Sequence, residues 1–170
     1  MSTYEERGTK FAKFLAELFA NCYELEDFEE VISAYNKTHK NRLKYRHGVS
    51  RIAILRSDYV IKFNYGDEDF AGDCVSEARV YAKAVEAGME HLLAKTTVLY
   101  LNGLICSVMP RIKGVGSHRG WNNLTLREKA WLGANINDLH RNNYGYKNRK
   151  ICVVDYAWDA HLHDNDDDDE

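Results

Sequence analysis

Proline is almost missing from this chain. Among 170 residues there is one, Pro110, and it stands at the end of an apolar run, where it closes a strand. Cysteine is sparse and scattered: Cys22, Cys74, Cys106 and Cys152 form no C-x-x-C pair. That spacing excludes a zinc knuckle and a dithiol redox motif. Cys106 and Cys152 lie inside apolar runs and read as small core residues. Long apolar stretches are missing as well. None can span a bilayer, and the opening MSTYEERGTK lacks the apolar core of an export signal. With scattered, reduced thiols, the expectation is a soluble protein in the cytoplasm, without membrane contact. A net charge of −3 does not mark the whole molecule as a nucleic-acid binder. No internal repeat is visible.

What is present argues for a folded body. Hydrophobic residues make up 45 % of the chain, enough for one domain with a real core or two small lobes sharing a cleft. Charge is unevenly placed. Residues 37–47 (KTHKNRLKYRH) are basic, whereas the end, Asp164 to Glu170, is almost all acid. Self-repulsion predicts that this acidic end is disordered.

Residues 9–20 put Phe11, Leu15, Leu18 and Phe19 on one helical stripe, and residues 25–36 form a second helix with Phe28, Val31, Ile32 and Tyr35 inward. The basic stretch leads into short β-branched runs, 50–55 and 59–63, joined at Arg56-Ser57-Asp58. Residues 66–72 read as a loop, and 74–87 as a strong helix ended by Gly88. Strands 95–101 and 104–109 flank Asn102-Gly103, a strong hairpin signal. A glycine-rich connector, 113–123, precedes a helix over 125–136 capped near Asn123 or Thr125. The last hairpin runs from Asn143 to Asp155 and turns at Lys147-Asn148.

Four polar residues stand out against this background. Lys62 sits within Tyr59-Val-Ile-Lys62, amid β-branched neighbours. Burying an ammonium there is costly unless it meets an anion; on an edge strand it can snorkel to solvent instead. Asp155 follows Ile151-Cys-Val-Val154. A carboxylate ending a buried strand needs a cation or donors, which makes Asp155 the best single candidate for a metal ligand. Asp138 and Asn143 stand five residues apart between the last helix and the last hairpin. Taken singly, Asp138 also suits a helix end, and Asn143 a turn.

Together, Asp138-x-x-x-x-Asn143 and the apolar run ending in Asp155 resemble the catalytic loop and metal-binding strand of the protein kinases. The order of elements resembles the protein-kinase-like fold, including small phage and bacterial members and the aminoglycoside-type phosphotransferases. The likeness covers roughly residues 45–158. It implies an α+β chain with an antiparallel N-lobe sheet (45–110), one helix carrying Glu77, a reduced C-lobe (111–160), extra N-terminal helices (1–44) and an acidic tail (161–170).

The resemblance also implies chemistry. ATP and Mg²⁺ would be the cofactors. Lys62 would hold the α/β-phosphates and be aligned by Glu77; Asn143 and Asp155 would hold the metal; Asp138 would be the catalytic base. Met109 to Arg111 would contact adenine through their backbone, with His140 and Arg141 near the phosphate or the acceptor.

Several features depart from the family. Only Gly48 precedes the strand at Ser50, so G-x-G-x-x-G is absent, and Ser50 or Arg51 would take over part of the phosphate binding. The H-R-D triplet reads Ile136-Asn137-Asp138, which argues against control by a phosphorylated activation loop. The D-F-G triplet reads Asp155-Tyr156-Ala157. No A-P-E segment or set of C-lobe helices follows, and the N-terminal helices, or a partner, are expected to stand in for them. Two functions follow from this set. One is a minimal phosphotransferase acting on a protein or other hydroxyl acceptor. The other is a kinase-like module that docks on and regulates a host or partner protein. Nucleic-acid contact through residues 37–47 is the weakest reading.

Overall fold

The computed structural model describes residues 2–48, 50–66, 72–112, 120–136, 139 and 143–156. The chain is α+β and divides into two compact units, residues 1–74 with 96–111 and residues 75–95 with 112–170. No helix among the described residues is long and apolar enough to cross a membrane.

The first unit opens with α1 (Tyr4–Leu18) and α2 (Leu25–Thr38). The helix α1 starts five residues before the apolar stripe suggests. Thr3 accepts from the Glu6 N–H while the Glu6 side chain accepts from the Thr3 N–H, so a capping box nucleates the first turn. Five antiparallel strands follow: β1 (Lys44–His47), β2 (Arg51–Leu55), β3 (Tyr59–Asn64), β4 (Thr97–Leu101) and β5 (Leu104–Pro110). Their spatial order is β1-β2-β3-β5-β4. The turn between β4 and β5 places Asn102 at φ 53° and Gly103 at φ 79°, as the Asn-Gly signal requires. The basic stretch is therefore only partly a connector, since its second half is an edge strand.

Strand alternation divides the sheet into two faces. Ile52, Ile54, Ile61, Phe63, Cys106 and Val108 point to one face and are fully buried beneath α1 and α2. Phe19, Phe28 and Phe63 meet at its centre, with ring centroids 4.9, 5.4 and 6.3 Å apart. Full burial of each such ring contributes about 2–3 kcal/mol. These helices thus share the sheet's core. The layers approach closely at Gly8: a Cβ built there would overlap Val108 Cγ1, well inside van der Waals contact distance.

The second unit contains most of α3 (Gly72–Ala87), then α4 (Leu126–Asn135) and a hairpin of β6 (Tyr144–Lys147) and β7 (Lys150–Val153). Its core gathers Val80, Leu92, Leu132, Ile136, Ile151 and Val153. Thr125 caps α4 through a second capping box with Glu128. The hairpin turns at Asn148-Arg149, with φ of 51° and 65°, one residue beyond the expected turn. Lys147 instead pairs with Lys150 as the last rung of the ladder.

Candidate functional site

In the first unit, Lys62 lies on β3 with Ala53 of β2 and Ser107 of β5 as its cross-strand partners. The three share the face turned away from α1 and α2. Val60 and Asn64 flank Lys62 on that face. Lys62 and Asn64 are each only 8 % exposed, and Ser107 is fully buried. The Ser107 hydroxyl has no hydrogen-bond partner among the described residues. A buried hydroxyl left unmet is costly in a core. Sequence reasoning missed Ser107 because a serine within Cys106-Ser-Val-Met109 carries no motif; only register sets it next to Lys62.

The expected nucleotide contacts map onto this unit as follows. Ser50 precedes β2, and its carbonyl accepts from Tyr65 N–H at 3.0 Å. Met109 is a buried β5 residue paired with Val60. Arg111 N–H donates to the Asp58 carbonyl at 2.9 Å, and its guanidinium donates to the Arg56 carbonyl at 2.7 Å. Burial pushes the Cys106 thiol up to about 12, with Cys74 nearby adding to the shift, so it is an inert core thiol.

In the second unit, Glu77 on α3 is fully buried. Asn143 and Asp155 are drawn together at the mouth of the β6–β7 hairpin. The Asn143 carbonyl accepts from Val154 N–H at 2.8 Å and from Asp155 N–H at 3.3 Å. Residues on either side hold Asp155 in place. Val153 accepts from Ala94 N–H at 2.8 Å and bridges Leu93, while the buried Tyr156 donates its hydroxyl to the Ala94 carbonyl. Asp155 itself is half-buried and Asn143 is 8 % exposed. The backbone thus brings together two residues whose side-chain oxygens are hard donors of the kind Mg²⁺ takes. Asp138, His140, Arg141 and the acidic tail lie outside the described residues. Among the described residues no cluster of three His, Cys, Asp or Glu forms a metal site.

A charged cluster in the second unit was not expected. Glu128 is 5 % exposed, and one carboxylate oxygen accepts from Lys150 Nζ at 2.6 Å and His91 Nε2 at 2.7 Å. Its other oxygen accepts from Thr125 N–H at 2.7 Å. Only the Thr125-x-x-Glu128 capping pattern was legible in the sequence. The Lys150 ammonium, then the Thr125 and His91 donors, hold the Glu128 carboxyl down at about 2, against an ordinary 4.5. A depressed folded value stabilises the fold fully above the ordinary value, and that stability is lost as pH falls from 4.5 through 2. Glu128→Gln should therefore lower the melting temperature at pH 7. The gap from the parent should close between about pH 5 and pH 2, as thermal melts at a series of pH values will show. A gap independent of pH would remove the ion pairs from the account.

No protein-family model matches the chain, and no curated protein matches it.

Proposed function

We propose that the chain is an ATP-dependent phosphotransferase, a minimal serine/threonine-type kinase on a kinase-like scaffold. The observation that carries this reading is buried Lys62 standing in register with Ser107, whose hydroxyl has no hydrogen-bond partner among the described residues, on the sheet face turned away from α1 and α2. A cation and an unmet polar atom together suit an anionic ligand with hydrogen-bonding oxygens, as a nucleotide phosphate has. Asn143 and Asp155, tied through one backbone carbonyl, fit Mg²⁺.

When bound, Mg·ATP supplies the transferable γ-phosphoryl group. The chain's part is electrostatic and positional. Lys62 holds phosphate oxygens and Glu77 sets its direction. Asp155 and Asn143 hold the metal, and Asp138 takes the proton of an acceptor hydroxyl. Met109, Arg111 and Ser50 border the nucleotide in this reading.

Incubation with γ-labelled ATP and Mg²⁺ tests it. Label should enter the chain itself or a protein of a host lysate, Asp138→Ala should abolish this, and Mg·ATP should raise the melting temperature. No label and an unmoved melting temperature would leave the alternative, a kinase-like module that docks on a partner protein.

A further inference from the structure

A groove of about 580 Å³ lies on the first unit, between α2 and the edge strand β1. Glu29, Ile32, Ser33, Asn36 and Lys37 of α2 form one wall, and Arg42 and Tyr45 the other. The walls are fixed. Asn36 donates to the Leu43 carbonyl at 3.1 Å and accepts from its N–H at 2.7 Å, while the Tyr45 hydroxyl donates to Glu29 at 3.0 Å. Among the described residues β1 has a strand partner on one side only.

Register shows which backbone groups face outward. Gly48 N–H donates to the Arg51 carbonyl at 2.9 Å, and the pairing continues as His47↔Ile52, Arg46↔Ala53, Tyr45↔Ile54 and Lys44↔Leu55. Antiparallel pairs alternate between bonded and non-bonded, so Arg46 and Lys44 bond to β2. The N–H and C=O groups of Tyr45 and His47 then point out from the sheet edge, two residues apart, as an incoming strand requires. Around them, residues 37–47 carry Lys37, Lys40, Arg42, Lys44 and Arg46, with no acid.

We propose that this groove is a docking site for an extended acidic segment of a partner protein, which adds a strand to β1 and sets its carboxylates against Lys37 and Arg42. Outward backbone groups at strand spacing complement another peptide backbone, which a nucleic acid does not have. The inference does not rest on the phosphotransferase reading, whose residues lie outside α2 and β1.

Fluorescence anisotropy with the full chain tests it. The probe is a labelled peptide of about eight residues, a typical strand length, alternating acidic and β-branched residues. Binding should weaken as salt rises from about 50 to about 300 mM, by screening. N-methylation of alternate peptide amides, which blocks strand pairing, should weaken it at least about tenfold. Two variants of the protein report the two halves of the site. Lys37→Glu with Arg42→Glu reverses exposed charge. His47→Pro removes one outward N–H at a position where an edge strand tolerates proline. Each should weaken binding at least about tenfold, with the melting temperature held near the parent's. Any of four results overturns the proposal. The N-methylated peptide binds equally well, or a single-stranded oligonucleotide binds more tightly than the peptide. The chain dimerises through β1 in sedimentation at the assay concentration. The peptide binds only after Asp166 to Asp169 are changed to Asn, which would give the groove to the chain's own acidic end.

Discussion

Replacing Gly8 with valine is expected to cost about 3 kcal/mol of stability, at the upper end of ordinary overpacking. Gly8 is interior to α1, and helix propensity alone predicts a gain there when glycine is replaced by alanine, by about 1 kcal/mol. Contact with the sheet reverses that sign. The added Cβ overlaps Val108 Cγ1, and Val108 is itself fully buried on β5. Neither side yields easily, because α1 is held by its capping box and Val108 by strands on both sides. For a chain of this size the melting temperature should fall by roughly 10 °C. Val108→Ala removes the obstructing methyl group, so the double variant should recover at least about 1 kcal/mol relative to additivity. Additive losses in urea melts would place the helix farther from the sheet than the structure has it.

Under the proposed phosphotransferase reading, Asp155→Asn is expected to lower phosphotransfer by about 10³-fold or more while leaving the fold within about 1 kcal/mol of the parent. Among the contacts that hold position 155 are the Asn143 carbonyl, with the Leu93–Val153 bridge and the Tyr156 hydroxyl on either side. None of these uses the Asp155 carboxylate, and asparagine keeps its shape. Its amide is a weaker ligand for a divalent cation, so the metal should be lost first. The measurement pairs a thermal melt without ligand, expected to be unchanged, with Mg²⁺-dependent ATP binding, expected to disappear. Intact binding in a stable Asp155→Asn would remove this residue from the proposed metal site. A collapse of stability would instead make it a structural carboxylate.

Much of the secondary structure was legible because its signals are local. Asn102-Gly103 marks a turn through backbone conformation alone, and Thr125 caps α4 through a side chain three residues from its target. The early start of α1 went unread because Gly8 interrupts the apolar stripe, although Thr3 and Glu6 carried the capping pattern. The strand β1 was masked by its basic residues, which suit an edge facing water better than a sheet interior.

The candidate site divides along the same line. The sequence by itself determined which groups are chemically unusual. Lys62 among β-branched residues and Asp155 at the end of an apolar run are conspicuous because charge beside apolar neighbours needs a partner. It also determined that Asn143 and Asp155 belong to one hairpin. Only tertiary structure decided that Ser107 stands next to Lys62, that α1 and α2 cover the opposite face, and that Glu128 gathers Lys150 and His91. These pairings join residues far apart in the chain: Glu128 and Lys150 by 22 positions, Glu128 and His91 by 37. Local conformational preference decays within a few residues. Such contacts are chosen instead by strand register and by which apolar faces must be buried together.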